Sequence, residues 1–290
     1  MSTPFQPFKE EHQIFRQQVR AFAETEILPH VEEWEEAELF PSSLFKKAGA
    51  LGILGAHYPE DVGGVGGDFW MSVVKSEELA HGGLAGVTMA LLVQADMATP
   101  VIADIGTKEQ KEEFLRPALA GDKVAALGVS EPGAGSDVAG LRTTARLVDD
   151  EYVINGSKTY ITNGTRADFI TLMVKTDPEA GHNGISIILC PTDVKGYGVS
   201  KKLKKAGNWC SDTAELFFED VRVPKRYLLG QEGMGFVYLM QNFQSERLVG
   251  SVSALAGSKL MLDRSVQWGR ERVVFGKPLI KREYLSRIHN

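Results

Sequence analysis

The apolar residues of this 290-residue chain change their spacing twice, and that change limits the possible folds more than any single motif does. From Lys9 to Leu28 they fall at Ile14, Phe15, Val19, Phe22 and Ala23, a three-and-four spacing that predicts an amphipathic helix stopped by Pro29. Leu44 to Leu51, Phe69 to Ala80, Leu84 to Ala98 and Lys108 to Leu115 also predict helices, separated by glycine and proline. Beyond Lys123 the runs become short and β-branched or aromatic: Val124 to Val129, Ala145 to Val148, Tyr152 to Ile154, Phe169 to Val174, Ile185 to Leu189 and Ala214 to Phe218. These predict strands. Asn155-Gly156 and Asn163-Gly164 predict two-residue hairpins, because a type I′ turn needs positive φ at both central positions. No segment between the strands is long enough for a helical parallel crossover, which points to an antiparallel barrel or sandwich. After Pro224 the helical period returns, and one long helix is expected from about Met234 to Arg272, ended by Gly276 to Pro278. Helices, then strands, then helices predict an α+β chain: an all-α domain over 1–120, an antiparallel β-barrel domain over 121–230, and further helix over 231–290.

Several chemistries are excluded by what the sequence lacks. A formal charge of −6 leaves no broad basic face for nucleic acid, and the local cluster Lys201, Lys202, Lys204, Lys205 fits a solvated turn better than a phosphate site. Cys190 and Cys210 are too few for a disulfide framework and lack metal-ligand neighbours, so packing is expected of both. The six histidines show no HxxH or HExxH spacing, and no Gly-x-Ser-x-Gly elbow occurs. Gly63 to Gly67 lacks the Lys-Ser/Thr of a phosphate loop, and Val138 stands where a dinucleotide fingerprint starting at Gly133 needs its third glycine. The longest apolar stretch, Leu84 to Val93, ends at Gln94 and Asp96, short of the roughly 20 residues of a membrane span. Met1 to Gln13 has no apolar signal core, so a cytoplasmic location is expected, or the mitochondrial matrix in a eukaryote.

One segment stands out, Gly128-Val129-Ser130-Glu131-Pro132-Gly133-Ala134-Gly135-Ser136-Asp137, a strand end entering a glycine-rich loop with hydroxyls on both sides. Its exposed amides fit an ordinary tight turn or a cradle for the polar edge of a ring or a pyrophosphate. On a long helix, Glu246 shares a row with Leu239, Phe243, Gly250, Ser253 and Gly257, and no cation stands at 249 or 250 to pair with it. That row is expected to be buried.

The glycine-rich segment closely resembles the signature of the acyl-CoA dehydrogenase family. Tyr160-Ile161-Thr162-Asn163-Gly164 resembles the family's second flavin-contacting strand, and Asp212 to Phe218 its later barrel strand. Ser245-Glu246-Arg247 and Arg270 to Gly276 resemble its first bundle helix and the turn after it, most of all in the long-chain and isovaleryl branches. The resemblance implies an FAD cofactor lined by Leu127, Val129, Ser130, Gly135 and Ser136, with Ser130 near the pyrimidine edge and Ser136 shared with acyl-CoA. It places Tyr160 and Ile161 against the ring and the Thr162 hydroxyl by N5, the hydride acceptor. It also implies Glu246 as catalytic base, Gln244 and Arg247 as substrate contacts, Phe275 as an FAD contact, and Arg272 reaching the FAD of a neighbouring subunit. The implied reaction is α,β-dehydrogenation of acyl-CoA thioesters, with electron-transfer flavoprotein as acceptor and a homotetramer as assembly. Simpler readings of the same residues are a cross-strand hairpin pair for Tyr160 and Thr162, a helix-end cation for Arg272, and a structural carboxylate paired to Arg247 or to a neighbouring helix for Glu246. At the level of the whole chain, an oxidase or monooxygenase on the same scaffold and a binding-only relative are the alternatives. Family members continue with three more helices that close a four-helix bundle, so the chain is expected to hold only the start of that bundle, with Leu255, Leu260 and Leu262 partly uncovered. Glu283 stands where the family usually has glutamine.

Overall fold

The computed structural model describes residues 7–282; Glu283 and His289 lie outside them. The helical part comprises α1 (Glu10–Phe22), α2 (Val31–Glu36), α3 (Ser43–Ala50), α4 (Phe69–Leu79), α5 (Ala85–Leu92), α6 (Pro100–Ile105), α7 (Lys108–Gln110) and α8 (Arg116–Ala120). Three of the expected helices are broken by wider π-helical turns at Ala23–Ile27, Val93–Ala98 and Lys111–Leu115. The run 85–105 is long and apolar enough to span a membrane by length and composition, yet 83% of its most apolar window is buried inside the protein. It is the central core helix, largely apolar because most of its faces are packed, with Gln94 and Asp96 the buried polar residues of its π-turn. A π-turn frees carbonyls from the helical ladder, and side chains from other layers take them up here. Tyr58 Oη donates to the Ala95 carbonyl (2.5 Å), Asn242 Nδ2 to Met97 (3.0 Å) and Thr171 Oγ1 to Ala98 (2.7 Å). The turn thereby keys the helical layer to both its neighbours.

Asp68 caps α4 by accepting from the Trp70 amide (2.9 Å), and its Oδ1 also meets Nε2 of the buried His12 at 2.9 Å. Asp68→Ala is expected to cost about 1 kcal/mol, the usual worth of an N-cap, measurable as a lower urea midpoint with an unchanged slope.

The strands are β1 (Ala125–Gly128), β2 (Thr144–Val148), β3 (Glu151–Thr162), β4 (Phe169–Lys175), β5 (Ile185–Pro191), β6 (Tyr197–Lys202), β7 (Thr213–Pro224) and the two-residue β8 (Leu228–Leu229). They form one sheet in the order β6-β7-β3-β2-β4-β5-β8, with β1 also beside β4. The expectation of a closed antiparallel barrel is corrected in two ways. The sheet is open, because one edge is the exposed, lysine-bearing β6 and the other is only two residues long, so neither offers a strand for closure. It is also mixed: β1 and β2 both run parallel to β4. The crossover from β1 to β4 is made by the β2–β3 hairpin, a route that needs no helix.

Both Asn-Gly pairs also depart from expectation. Asn155-Gly156 lies inside β3 at a register shift against β7, with Gly156 at φ 148°. Asn163 does take φ 64°, but the turn it opens joins β3 to β4, which are not paired with each other. Cys190 and Cys210 are buried and free, as packing requires.

α9 (Gly235–Glu271) is one 37-residue helix lying across the seam between helical layer and sheet, with Leu239 in the sheet core and Val249 in the helical core. Only part of its expected row is covered: Leu239 is buried, whereas Phe243, Glu246, Gly250, Ser253 and Gly257 are half-buried. Leu255 and Leu262 are exposed and Leu260 is half-buried. Beyond it, β9 (Val273–Val274) and β10 (Lys277–Pro278) form a small hairpin whose central pair, Phe275 and Gly276, both have positive φ.

Candidate active site

Where β1, the bulged end of β3, the core helix and the first turns of α9 meet, they enclose a cleft of about 460 Å³. Leu127 enters from β1, followed by Val129, Ser130, Gly135 and Ser136 from the glycine-rich loop beyond it. That loop closes on itself through the Glu131 amide to the Ala134 carbonyl (2.9 Å) and the reverse bond (3.1 Å). A Cβ built on Gly133 or Gly135 would meet nothing within 4 Å, so the loop backbone borders open space.

From β3 come Tyr160, Ile161 and Thr162. The register of β3 against β7 shifts between Lys158 and Ile161, leaving Tyr160 in a bulge at φ 60° with its ring 73% exposed. Bulges re-aim side chains, and this one turns an aromatic face toward the cleft while Ile161 stays in the core. The simpler reading of Tyr160 and Thr162 as a cross-strand pair is thereby corrected. Both lie on β3; Thr162 faces Thr213 of β7, and Tyr160 has no register partner. Asn163 anchors the strand end, donating from Nδ2 to the Ala90 and Ala125 carbonyls at 3.1 Å each.

The opposite wall is apolar. Met89, Val93 and Met97 descend from the core helix and its π-turn, and Phe236, Met240 and Phe243 line one face of α9 together with Glu246 and Arg247. Of these six apolar residues, the sequence reading placed only Phe243 beside Glu246, in the row expected to be buried, and missed the other five. The signal was present on α9, where positions 236, 240, 243 and 246 follow helical spacing. For Met89, Val93 and Met97 it was absent, because a helix apolar on most sides does not reveal which face borders a cavity.

Among the described residues, the carboxylates lining the cleft are Glu246 on this apolar wall and Asp137 on the far loop. The buried Oε2 of Glu246 has no hydrogen-bond partner among the described residues, and burial pushes the pKa of Glu246 up to about 7 against the opposing pull of Arg247. Arg247 makes no ion pair with it among the described residues; the guanidinium lies over the Phe243 ring at 5.2 Å. Among the described residues, the reading of Glu246 as a structural carboxylate paired to Arg247 is therefore not what the fold presents. Gln244 is exposed and outside the cleft, and Arg272 and Phe275 sit at the far end of α9, with Phe275 97% exposed.

A cleft between a helical layer, a sheet and a long helix, with a glycine-rich polar rim and one desolvated carboxylate, defines the class. Three family models match in order: the acyl-CoA dehydrogenase N-terminal domain over residues 9–122, the middle domain over 126–221 and the C-terminal domain over 233–288. The long-chain specific acyl-CoA dehydrogenase of Rattus norvegicus mitochondria is 42% identical over 272 residues, which are 93% of this chain and 63% of that protein. A crystal structure of a probable acyl-CoA dehydrogenase from Mycobacterium abscessus superposes with a TM-score of 0.93 at 44% identity, covering 97% of this chain and 74% of that one. An acyl-CoA dehydrogenase from Bacillus anthracis complexed with FAD gives a TM-score of 0.91 at 33% identity, over 97% of this chain and 48% of that one. The chain belongs to the acyl-CoA dehydrogenase family, and it spans 63% of the length of the first curated relatives it matches.

Proposed function

We propose that this chain binds FAD and an acyl-CoA thioester in the cleft and takes part in α,β-dehydrogenation of the acyl group, with Glu246 as base. The observation that carries this reading is the unpartnered Glu246 carboxylate in an apolar wall, facing a polar glycine-rich rim across one cavity. The residues fit a flavin: the open backbone at Gly133 and Gly135 suits close approach of a ring edge, and the outward-turned Tyr160 offers an aromatic face. When bound, FAD supplies the hydride acceptor at N5.

On this reading Leu127, Val129, Ser130, Gly135, Ser136 and Ile161 line the ring, and the Thr162 hydroxyl is the group nearest N5. Ser136 and Arg247 hold the thioester end of the substrate, while the methionine and phenylalanine wall receives the acyl chain and excludes water. Glu246 takes the α-proton; among the described residues its buried Oε2 has no hydrogen-bond partner and is free to accept, and desolvation favours the neutral acid it becomes. Arg272 and Phe275, exposed at the far end of α9, are offered to the FAD of a neighbouring subunit, in keeping with a homotetramer. Electron-transfer flavoprotein is the onward acceptor.

The test is direct. Protein loaded with FAD is mixed with acyl-CoA thioesters without air, and loss of the yellow colour is expected within the mixing experiment. A flavin that stays oxidised until a further enzyme is added, or that is never retained, would sink the assignment; turnover that depends on oxygen would favour an oxidase instead. A finer prediction concerns Thr162→Val. Losing one hydrogen bond to the ring removes about 0.5–1.5 kcal/mol, so the visible spectrum or the reduction potential is expected to shift while the unfolding temperature of the FAD-free protein holds. An unaltered spectrum and potential would remove Thr162 from the ring.

A further inference from the structure

Behind the glycine-rich loop lies a buried ion pair that the proposed reaction does not use. Lys158 on β3 is completely buried, and its Nζ donates to Glu131 Oε1 at 2.8 Å and to the Val129 carbonyl at 3.1 Å. Glu131 is held in turn by the Arg142 amide (2.6 Å) and the Thr143 amide (3.0 Å). One residue on, the Thr159 amide donates to the Ser130 carbonyl at 2.9 Å. β3 therefore grips two successive loop carbonyls from the side away from the cleft. A trans peptide is planar, with its carbonyl and N–H pointing in opposite directions. Pinning the Val129 carbonyl to Lys158 therefore turns the Ser130 N–H the other way, and that amide has no partner among the described residues.

We propose that Lys158 is a positioning residue: through the Val129 carbonyl it aims the free Ser130 amide at the bound flavin, and Glu131 is the counter-charge that keeps it there. The same ammonium sits two residues before Tyr160, at the start of the bulge, so one buried contact sets loop and aromatic face relative to each other. The inference rests on the flavin reading above.

The test compares wild type, Lys158→Met and Lys158→Met/Glu131→Gln for FAD affinity, the visible spectrum of bound FAD, and thermal unfolding of the FAD-free protein. Lys158→Met strands the Glu131 charge and is expected to unfold at lower temperature; the double variant removes both charges and regains much of that loss. FAD binding is expected to stay about tenfold or more weaker in both, with a shifted spectrum, because neither restores the donor to the Val129 carbonyl. A stabilised double variant that binds FAD as the wild type does, with the same spectrum, overturns the proposal and makes the pair purely structural. A wild-type chain that takes up no FAD overturns the flavin reading and this one with it. Equal binding by wild type and double variant overturns this one alone.

Discussion

Glu246→Gln, in FAD-loaded protein, is expected to slow bleaching of the flavin by acyl-CoA about 10²–10⁴-fold while the protein remains yellow and still binds the thioester. The amide is isosteric with the acid but cannot accept the α-proton, so binding survives and the chemical step does not. The wild-type rate is expected to rise with pH through about 7, where the buried carboxyl ionises, and to flatten above it. The stability consequence has the opposite sense. Burial raises this carboxyl above the ordinary value of 4.5, so between about 4.5 and 7 the folded chain binds more protons than the unfolded one, and stability falls as pH rises through that window. Glutamine has no such penalty, so the unfolding temperature of Glu246→Gln is expected to exceed that of the wild type at pH 8 and to match it near pH 4.5. Bleaching at near wild-type rate would move the base elsewhere; a pH-independent difference in unfolding temperature would mean that the carboxyl is solvated.

Lys75→Met is the variant expected to damage the fold most. Lys75 of α4 and Asp96 of the π-turn are both buried and form an ion pair with Nζ and Oδ2 2.8 Å apart, while Asp96 Oδ1 accepts a hydrogen bond from Ser72 Oγ at 2.9 Å, a hydroxyl that also meets His57 Nδ1 at 2.7 Å. Removing one partner leaves a carboxylate uncompensated in the centre of the helical layer, which costs about 3–5 kcal/mol. Because the π-turn also carries Val93 and Met97 into the cleft, FAD-free and FAD-loaded protein are both expected to show the loss in urea denaturation. A change below about 1 kcal/mol would show that water reaches Asp96 once the lysine is gone.

The lesson from the strands is that local signals gave the elements and missed their partners. Ala125–Gly128 and Thr144–Val148 are strands where the β-branched and aromatic runs lie, but their parallel pairing with β4 depends on a hairpin acting as the crossover, which spacing does not encode. Asn155-Gly156 has the composition of a tight turn and instead lies in a twelve-residue strand, since pairing with β7 on one side and β2 on the other outweighs the local preference. The short β6 and β8 were missed because neither carries enough apolar alternation to register.

Periodicity and motif are local properties of the chain, and the three-part order, the long final helix, the polar loop from Ser130 to Ser136 and the family resemblance were legible from them alone. Which side chains share a cavity follows instead from long-range packing. Met89, Val93, Met97, Phe236 and Met240 became a wall through packing of α9 across the core helix, Tyr160 turned outward through a bulge set by register, and Glu246 became unpaired because Arg247 settled on Phe243. Each depends on contacts between residues tens to more than a hundred positions apart or on competition for one partner, and a linear pattern records neither.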